Sequence, residues 1–293
     1  MKKLIINADD FGLSPGANRA VITAFREGIL TSASLMVGGK SFEEAVVLAR
    51  ENPGLQVGLH LTLVQGKAVS LPREIPGLVD VEGNFTRDPV RAGVRYFFIE
   101  SLKRELRREI EAQILRFRET GLPLSHIDGH LNIHMHPTVF QILTDLMPRY
   151  GITSFRLTRE SLLRDRAGRG KRRVGRVLDA LIFGCLARHC RPVLKRLGIS
   201  HSDEVKGLLH SGRMTEGYLL QVLARMEDSL TEIYFHPGCK PDSELSAWMP
   251  DYLHEDELAA LISRRVLALI REEGIRLVNY RGEEKSICLK PLS

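Results

Sequence analysis

Short apolar runs rich in β-branched residues recur along this chain, and most neighbouring pairs are separated by a stretch with helical periodicity. KLIINAD (3–9), SASLMV (32–37), LQVGLHLTL (55–63), PLSHID (123–128), TSFRLT (153–158), EVKGLL (204–209), EIYFHP (232–237) and IRLVNY (275–280) read as eight strands. Helices are expected from Ser14-Pro15, a cap and first-turn pair, to Arg26 with Gly28 as the stop, and over 41–52. Others are expected over the charged segment 100–119, after Pro137, and near 215–229 and 255–273. Such alternation builds parallel βαβ units. At 293 residues the expected α/β fold is a single, distorted (β/α) barrel over 1–293, with a doubly wound open sheet as the alternative. Both topologies gather reactive residues at the C-terminal ends of the strands.

The ionisable residues fall where that rule puts them. Asp9 and Asp10 end the first run, and His60 sits in the otherwise apolar GLHLTL. SHIDGHLNIHMHP sets His126, Asp128 and His130 at alternating positions, with His134 and His136 following. Arg156 ends SFRLT and His236 ends EIYFHPG. Each alone has an ordinary structural reading: a strand-end turn, a core histidine, a salt-bridge partner. Jointly they offer an acid and imidazoles with open positions, which suits a catalytic divalent metal. A mixed nitrogen and oxygen donor set favours Zn²⁺, with Mn²⁺, Co²⁺ and Mg²⁺ as alternatives. If one carboxylate of the Asp9–Asp10 pair binds the ion, the other is left to take a proton from the water that the ion activates. A histidine opposite could protonate the leaving group, which fits hydrolysis of an amide or ester.

The net charge of +6 would suggest nucleic acid if it were spread over the surface. It is local. Residues 159–197 hold twelve Lys/Arg and three acids, a net of +9, which leaves the rest of the chain at −3; nucleic acid is therefore not an expected partner. No run is long and apolar enough to span a membrane, and MKKLIINADD turns acidic too soon for a signal peptide. Cys185, Cys190, Cys239 and Cys288 form no CxxC pair, and the expectation is reduced thiols in a cytoplasmic protein.

NADDFG, GLHL, the SHIDGH-x-N-x-H-x-HP block and FHPG together resemble the YdjC-like carbohydrate deacetylases, in order and spacing over almost the whole chain. That family is similar to the polysaccharide deacetylases, and the resemblance implies a (β/α) barrel with an Asp-His-His metal site that removes acetyl groups from N-acetylated sugars. Position by position it implies Asp10, His60 and His130 as metal ligands, with His134 competing for the third place. It implies Asp9 as base, His236 as acid, Arg156 holding Asp9 ionised, and His126 and Asp128 orienting the ligands.

VGLHLTLVQGKAVSLPREIPGLVDVEGNF, and the arginine-rich helix after Phe97-Phe98, resemble in particular the branch associated with hopanoid biosynthesis. The implied substrate is an N-acetylglucosaminyl hopanoid. A basic insertion over 160–200 adds a physical reason: Val174, Val177, Leu178, Leu181, Ile182, Cys185 and Leu186 recur at helical steps between arginines. Such a helix over 170–197 either packs on the barrel as a cap or lies on an anionic membrane surface, here the inner face. Trp248, in the polar loop 238–256, is the candidate to stack on a sugar ring. The expected partners are thus an N-acetylated sugar or glycolipid, a membrane surface and further copies of the chain. Deacetylation of soluble chito-oligosaccharides, a non-catalytic sugar- or lipid-binding barrel, and a metal phosphoesterase are the competing readings.

Overall fold

The computed structural model describes residues 1–160 and 173–285. The basic run 161–172, at the heart of the expected insertion, lies outside the described residues, as do the side chain of Val174 and the residues from 286 on, Cys288 included. The chain runs β1 (Lys3–Phe11), α1 (Pro15–Glu27), β2 (Ser32–Leu35), α2 (Phe42–Glu51), β3 (Gln56–Leu61), α3 (Pro89–Phe98), α4 (Leu102–Glu119) and β4 (Leu124–Gly129). It continues through α5 (Pro137–Tyr150), α6 (Arg173–Leu197), β5 (Glu204–Lys206), α7 (Glu216–Leu223), β6 (Leu230–Phe235), α8 (Ser243–Trp248), α9 (His254–Leu261), α10 (Arg264–Glu272) and β7 (Arg276–Leu277).

The strands form one curled parallel sheet in the order β4-β3-β2-β1-β6-β5. β1 is buried from Leu4 onward and is the organising strand. It pairs with β6 along one edge and with both β7 and β2 along the other, β7 at Lys3–Leu4 and β2 from Asn7 onward. The segment 153–159 joins the two outer edges. On one side Ile127 N donates to Ser154 O and Arg156 N to Ile127 O; on the other Phe155 N donates to Ser200 O and Val205 N to Arg159 O. The sheet therefore curls into a half-barrel that one thin segment closes. TSFRLT is thus a bridge and not the expected full strand, because β5, with three residues, offers it too short a ladder.

Three other expectations are revised. The proline-containing stretch before residue 100 holds α3, whose inward stripe is only Ala92 and Tyr96, too short to announce a helix. The segment 255–273 is two helices broken at Ser263, whose hydroxyl accepts from Val266 N and starts α10. The loop 238–256 contains α8, capped by Asp242.

Alternate residues of a strand face opposite sides of the sheet, and this barrel uses one side for polar chemistry. Asn7 and Asp9 of β1, Gly58 and His60 of β3, His126 and Asp128 of β4, and Glu232 and Tyr234 of β6 follow that period. Leu4, Ile6, Leu59, Ile127 and Ile233 pack into the apolar core with Ile110 and Ile114 of α4 and Val139 and Leu143 of α5. Gly58 lacks a side chain because the His126 ring occupies that space; a methyl group there would overlap the ring. Overfilling a packed interior costs about 1–3 kcal/mol. We therefore expect Gly58→Ala to lower the urea midpoint by a corresponding amount, and an unchanged midpoint would mean that His126 does not depend on the glycine.

Candidate active site

Two adjacent strand residues normally point to opposite faces, yet Asp9 and Asp10 serve one site. The β1–β2 register slips between Ala8 and Phe11, and Asp10 takes a left-handed φ of 61°. This bulge turns both carboxylates inward. A non-glycine residue in that conformation carries strain of order 1 kcal/mol or more, which the surrounding contacts must offset.

Asp10 lies between two imidazoles. Its Oδ1 is 3.0 Å from His130 Nδ1 and 3.3 Å from His60 Nε2, and all three residues are buried. At zinc bond lengths of about 2.0–2.1 Å, tetrahedral ligand atoms sit about 3.3 Å apart, so the spacing fits a divalent ion. The other Asp10 oxygen, Oδ2, is buried without a hydrogen-bond partner, a costly state that a cation relieves. His60 is oriented from behind: its Nδ1 is 2.8 Å from Asp128 Oδ1, which leaves Nε2 facing Asp10. Electrostatics point the same way. Burial works against a charged His60, but Asp128 and Asp10 raise its pKa to about 10. Burial likewise opposes an ionised Asp10, and His130 and His60 more than offset it, holding its carboxyl well below the usual range. The cluster draws positive charge to this point, and an ion would serve in place of the proton.

Asp9 lies beside that trio and is held by Arg156. Arg156 Nη1 donates to Asp9 Oδ2 at 2.7 Å and Nη2 to Oδ1 at 2.8 Å. The same guanidinium reaches Asp128 Oδ2 at 2.8 Å and Glu232 Oε1 at 2.5 Å. Tyr280 Oη and Ser202 Oγ donate to Glu232, Ser34 Oγ donates to Asp128, and Asn7 Nδ2 bridges Asp9 and Ser34. Three buried carboxyl groups (Asp9, Asp128, Glu232) thus share one guanidinium, and the buried Asp10 takes no part in that pairing, a further reason for the site to attract a cation.

His236 follows β6 and borders a cavity of about 360 Å³ together with Asp9, His130, Tyr234, Trp248 and Tyr252. Burial lowers its pKa against the pull of Asp10 and Asp9, so the ring rests neutral at neutral pH. Its Nδ1 has no hydrogen-bond partner. Glu257 fixes the backbone there, accepting from His236 N at 2.5 Å and Met214 N at 2.9 Å, and burial pushes its carboxyl up to about 7. Trp248 is on the cavity wall, with the Arg87 guanidinium 4.7 Å from its ring centroid.

Asp9, Asp10, His60, His130, Arg156, His236 and Trp248 are therefore brought to one place. His134 and His126 are not ligand-facing. His134 Nε2 hydrogen-bonds the Arg156 carbonyl, and burial lowers its pKa to about 4. Of the two groups expected to orient ligands, only Asp128 touches one. His126 contacts Ser34 and Ser125 and stacks on Tyr280, and burial keeps it neutral with a pKa near 3. The sequence alone does not single out Asn7, Ser34, Glu232, Glu257 or Tyr280. The two-residue step from Asn7 to Asp9 and from Glu232 to Tyr234 was the one available signal.

The YdjC-like protein family model matches residues 3–272. A carbohydrate deacetylase of Brevibacillus brevis is 45% identical over 280 residues, covering 95% of this chain and 98% of that protein. A mouse carbohydrate deacetylase is 31% identical over 309 aligned residues, covering 94% and 93% respectively. A solved Enterococcus faecalis structure, of a protein proposed to act in cellobiose-phosphate cleavage, superposes with a TM-score of 0.74 at 27% identity, covering 96% of this chain and 98% of that one. Aligned with these relatives almost end to end, the chain belongs to the YdjC-like protein family.

Proposed function

We propose that this protein is a metal-dependent carbohydrate deacetylase, a single catalytic unit, acting on the N-acetylglucosaminyl head of a hopanoid glycolipid at the cytoplasmic membrane face. The observation that carries the reading is the convergence of Asp10, His60 and His130 beside the Arg156-bound Asp9 and His236 on one cavity. Relatives spanning the whole chain are named carbohydrate deacetylases, which supports hydrolysis of an acetyl group as the reaction.

Asp10, His60 and His130 would hold the ion, with Zn²⁺ the best match to one carboxylate and two imidazoles. When bound, such an ion supplies a Lewis acid that polarises the acetyl oxygen and acidifies nearby water. Asp9 takes the proton from the attacking water, and Arg156 fixes its carboxylate toward the cavity. His236, neutral at rest, takes up the proton that the attacking water gave to Asp9 and passes it to the sugar nitrogen as the C–N bond breaks, so that acetate and a free amine leave. Trp248 and Tyr252 offer flat faces for the sugar ring.

The lipid half of the proposal draws on α6. Its second half packs on the barrel through Ala187, Cys190 and Leu194. Its first half turns Val177, Leu178, Leu181 and Ile182 to solvent, while Asp179 and Phe183 of the same turns line the catalytic cavity and Phe183 packs against the margin of the core. A sugar presented from a membrane would meet that stripe first. The aromatic cavity wall also suits a soluble N-acetylated oligosaccharide, which is the second reading.

Two experiments test this. Asp10→Ala should abolish bound metal measured by elemental analysis, whereas Asp9→Asn should keep the metal and lose acetate release by about 10²–10⁴-fold, the usual worth of a general base. Near-normal turnover by Asp9→Asn would remove Asp9 from the role of base. Leu178→Ser/Leu181→Ser should slow acetate release from vesicle-embedded glycolipid while sparing chito-oligosaccharides; equal rates on both substrates would favour the soluble reading.

A further inference from the structure

The helix α3 takes no part in the hydrolysis, yet it is an unusual surface helix. It is firmly seated. Asp88 caps it by accepting from Arg91 N, Ala92 and Tyr96 are buried beneath it, and Tyr96 Oη donates to Leu63 O at 2.6 Å. At 100° per residue its remaining positions fall into two stripes. The outward stripe is Val90, Val94, Phe97 and Phe98, continued by Ile99, and Phe98 is 76% exposed. The Phe97 and Phe98 rings meet edge to face at 5.0 Å, so the patch is continuous. The second stripe is basic: Arg91 and Arg95, with Arg87 one turn before them, in steps of four.

The three arginines outnumber the one carboxylate, Asp80, that lines their groove; Arg95 Nη2 also donates to Gly77 O at 2.8 Å, and Arg87 lies over the Trp248 ring. The helix contains no acid, and among the described residues none of the three is ion-paired. They line a groove of about 600 Å³ that shares Trp248 with the catalytic cavity. Both α3 and α6 pack against α5, so the two exposed apolar stripes rise from neighbouring supports.

An apolar aromatic stripe edged by a row of arginines is the pattern of a helix that lies in a membrane interface. Each basic side chain near an anionic surface adds to the attraction. A second copy of the chain fits less well. A two-fold contact over this face would bring like arginine rows toward one another, with no acid on the helix to separate them. We infer that α3 docks on an anionic lipid bilayer, its Val90–Phe98 stripe at the acyl–headgroup boundary and Arg87, Arg91 and Arg95 among the lipid phosphates. This deepens the glycolipid reading and rests on it for its purpose. Docking there sets the cavity beside the bilayer, with Trp248 between the arginine groove and the catalytic groups.

The test is flotation of the full-length protein with vesicles of phosphatidylcholine alone, or of equal parts phosphatidylcholine and phosphatidylglycerol, at low ionic strength. Chito-oligosaccharide deacetylation by each variant and sedimentation velocity run alongside. The intact protein should float with the anionic vesicles only. Phe97→Ser/Phe98→Ser and, separately, Arg91→Gln/Arg95→Gln should each weaken that partition by roughly tenfold or more, with turnover of the soluble substrate unchanged. Failure of the intact protein to float, or flotation that neither double variant alters, would overturn the inference. So would a dimer that the phenylalanine variant dissociates in the absence of vesicle binding, since the face would then join copies of the chain. Flotation is read without catalysis, so a protein that floats but leaves glycolipid unhydrolysed refutes the function and not the docking.

Discussion

One guanidinium, buried from water, ties three strands of the barrel to a single point. Arg156 reaches Asp9 on β1, Asp128 on β4 and Glu232 on β6. Burial penalises every one of these charges, and only their mutual contacts make the set tolerable. The geometry of the candidate site follows from it. Asp9 is pinned by two hydrogen bonds, Asp128 is placed to orient His60, and β1, β4 and β6 are held at the same depth in the barrel. Removing Arg156 would leave three carboxyl groups in a dry interior, so its loss would damage stability and chemistry together.

The bulge in β1 then separates two acids that are neighbours in sequence. Asp9 stays in the strand's period and meets Arg156, whereas Asp10, turned by its left-handed backbone, meets His60 and His130. Adjacent carboxylates that would repel in an ordinary turn are each given a different counter-charge. One faces a fixed cation of the protein; the other faces imidazoles and keeps an oxygen with no hydrogen-bond partner. A structural pair of aspartates would not require this asymmetry.

The alternation of strands and helices along the chain, and the placement of Asp9, Asp10, His60, His130, Arg156 and His236 near strand ends, are legible in the sequence. Parallel strands buried on both faces make their polar residues conspicuous, and each of these interrupts or ends an apolar run. The supporting network was less legible. Glu232 and Tyr280 lie in runs where an acid or a tyrosine suits a strand edge equally well, and nothing in NADDFG marks a positive φ. Full strand status for TSFRLT failed because β5 is too short to pair along it, a property of the partner and not of the segment. The expected stripe on α6 divides into a packed half and an exposed half, a boundary set by where the barrel ends. α3 is hard to read from sequence because most of its apolar residues face outward while only Ala92 and Tyr96 anchor it.

The central claim is that a cation gathered by Asp10, His60 and His130 is needed for hydrolysis, with the protein's own groups moving the protons. Acetate release from an N-acetylated chito-oligosaccharide, followed before chelation, after removal of divalent ions and after addition of Zn²⁺, tests it most directly. The account predicts that activity disappears on chelation and returns with the metal. Undiminished acetate release by the metal-free protein would contradict it.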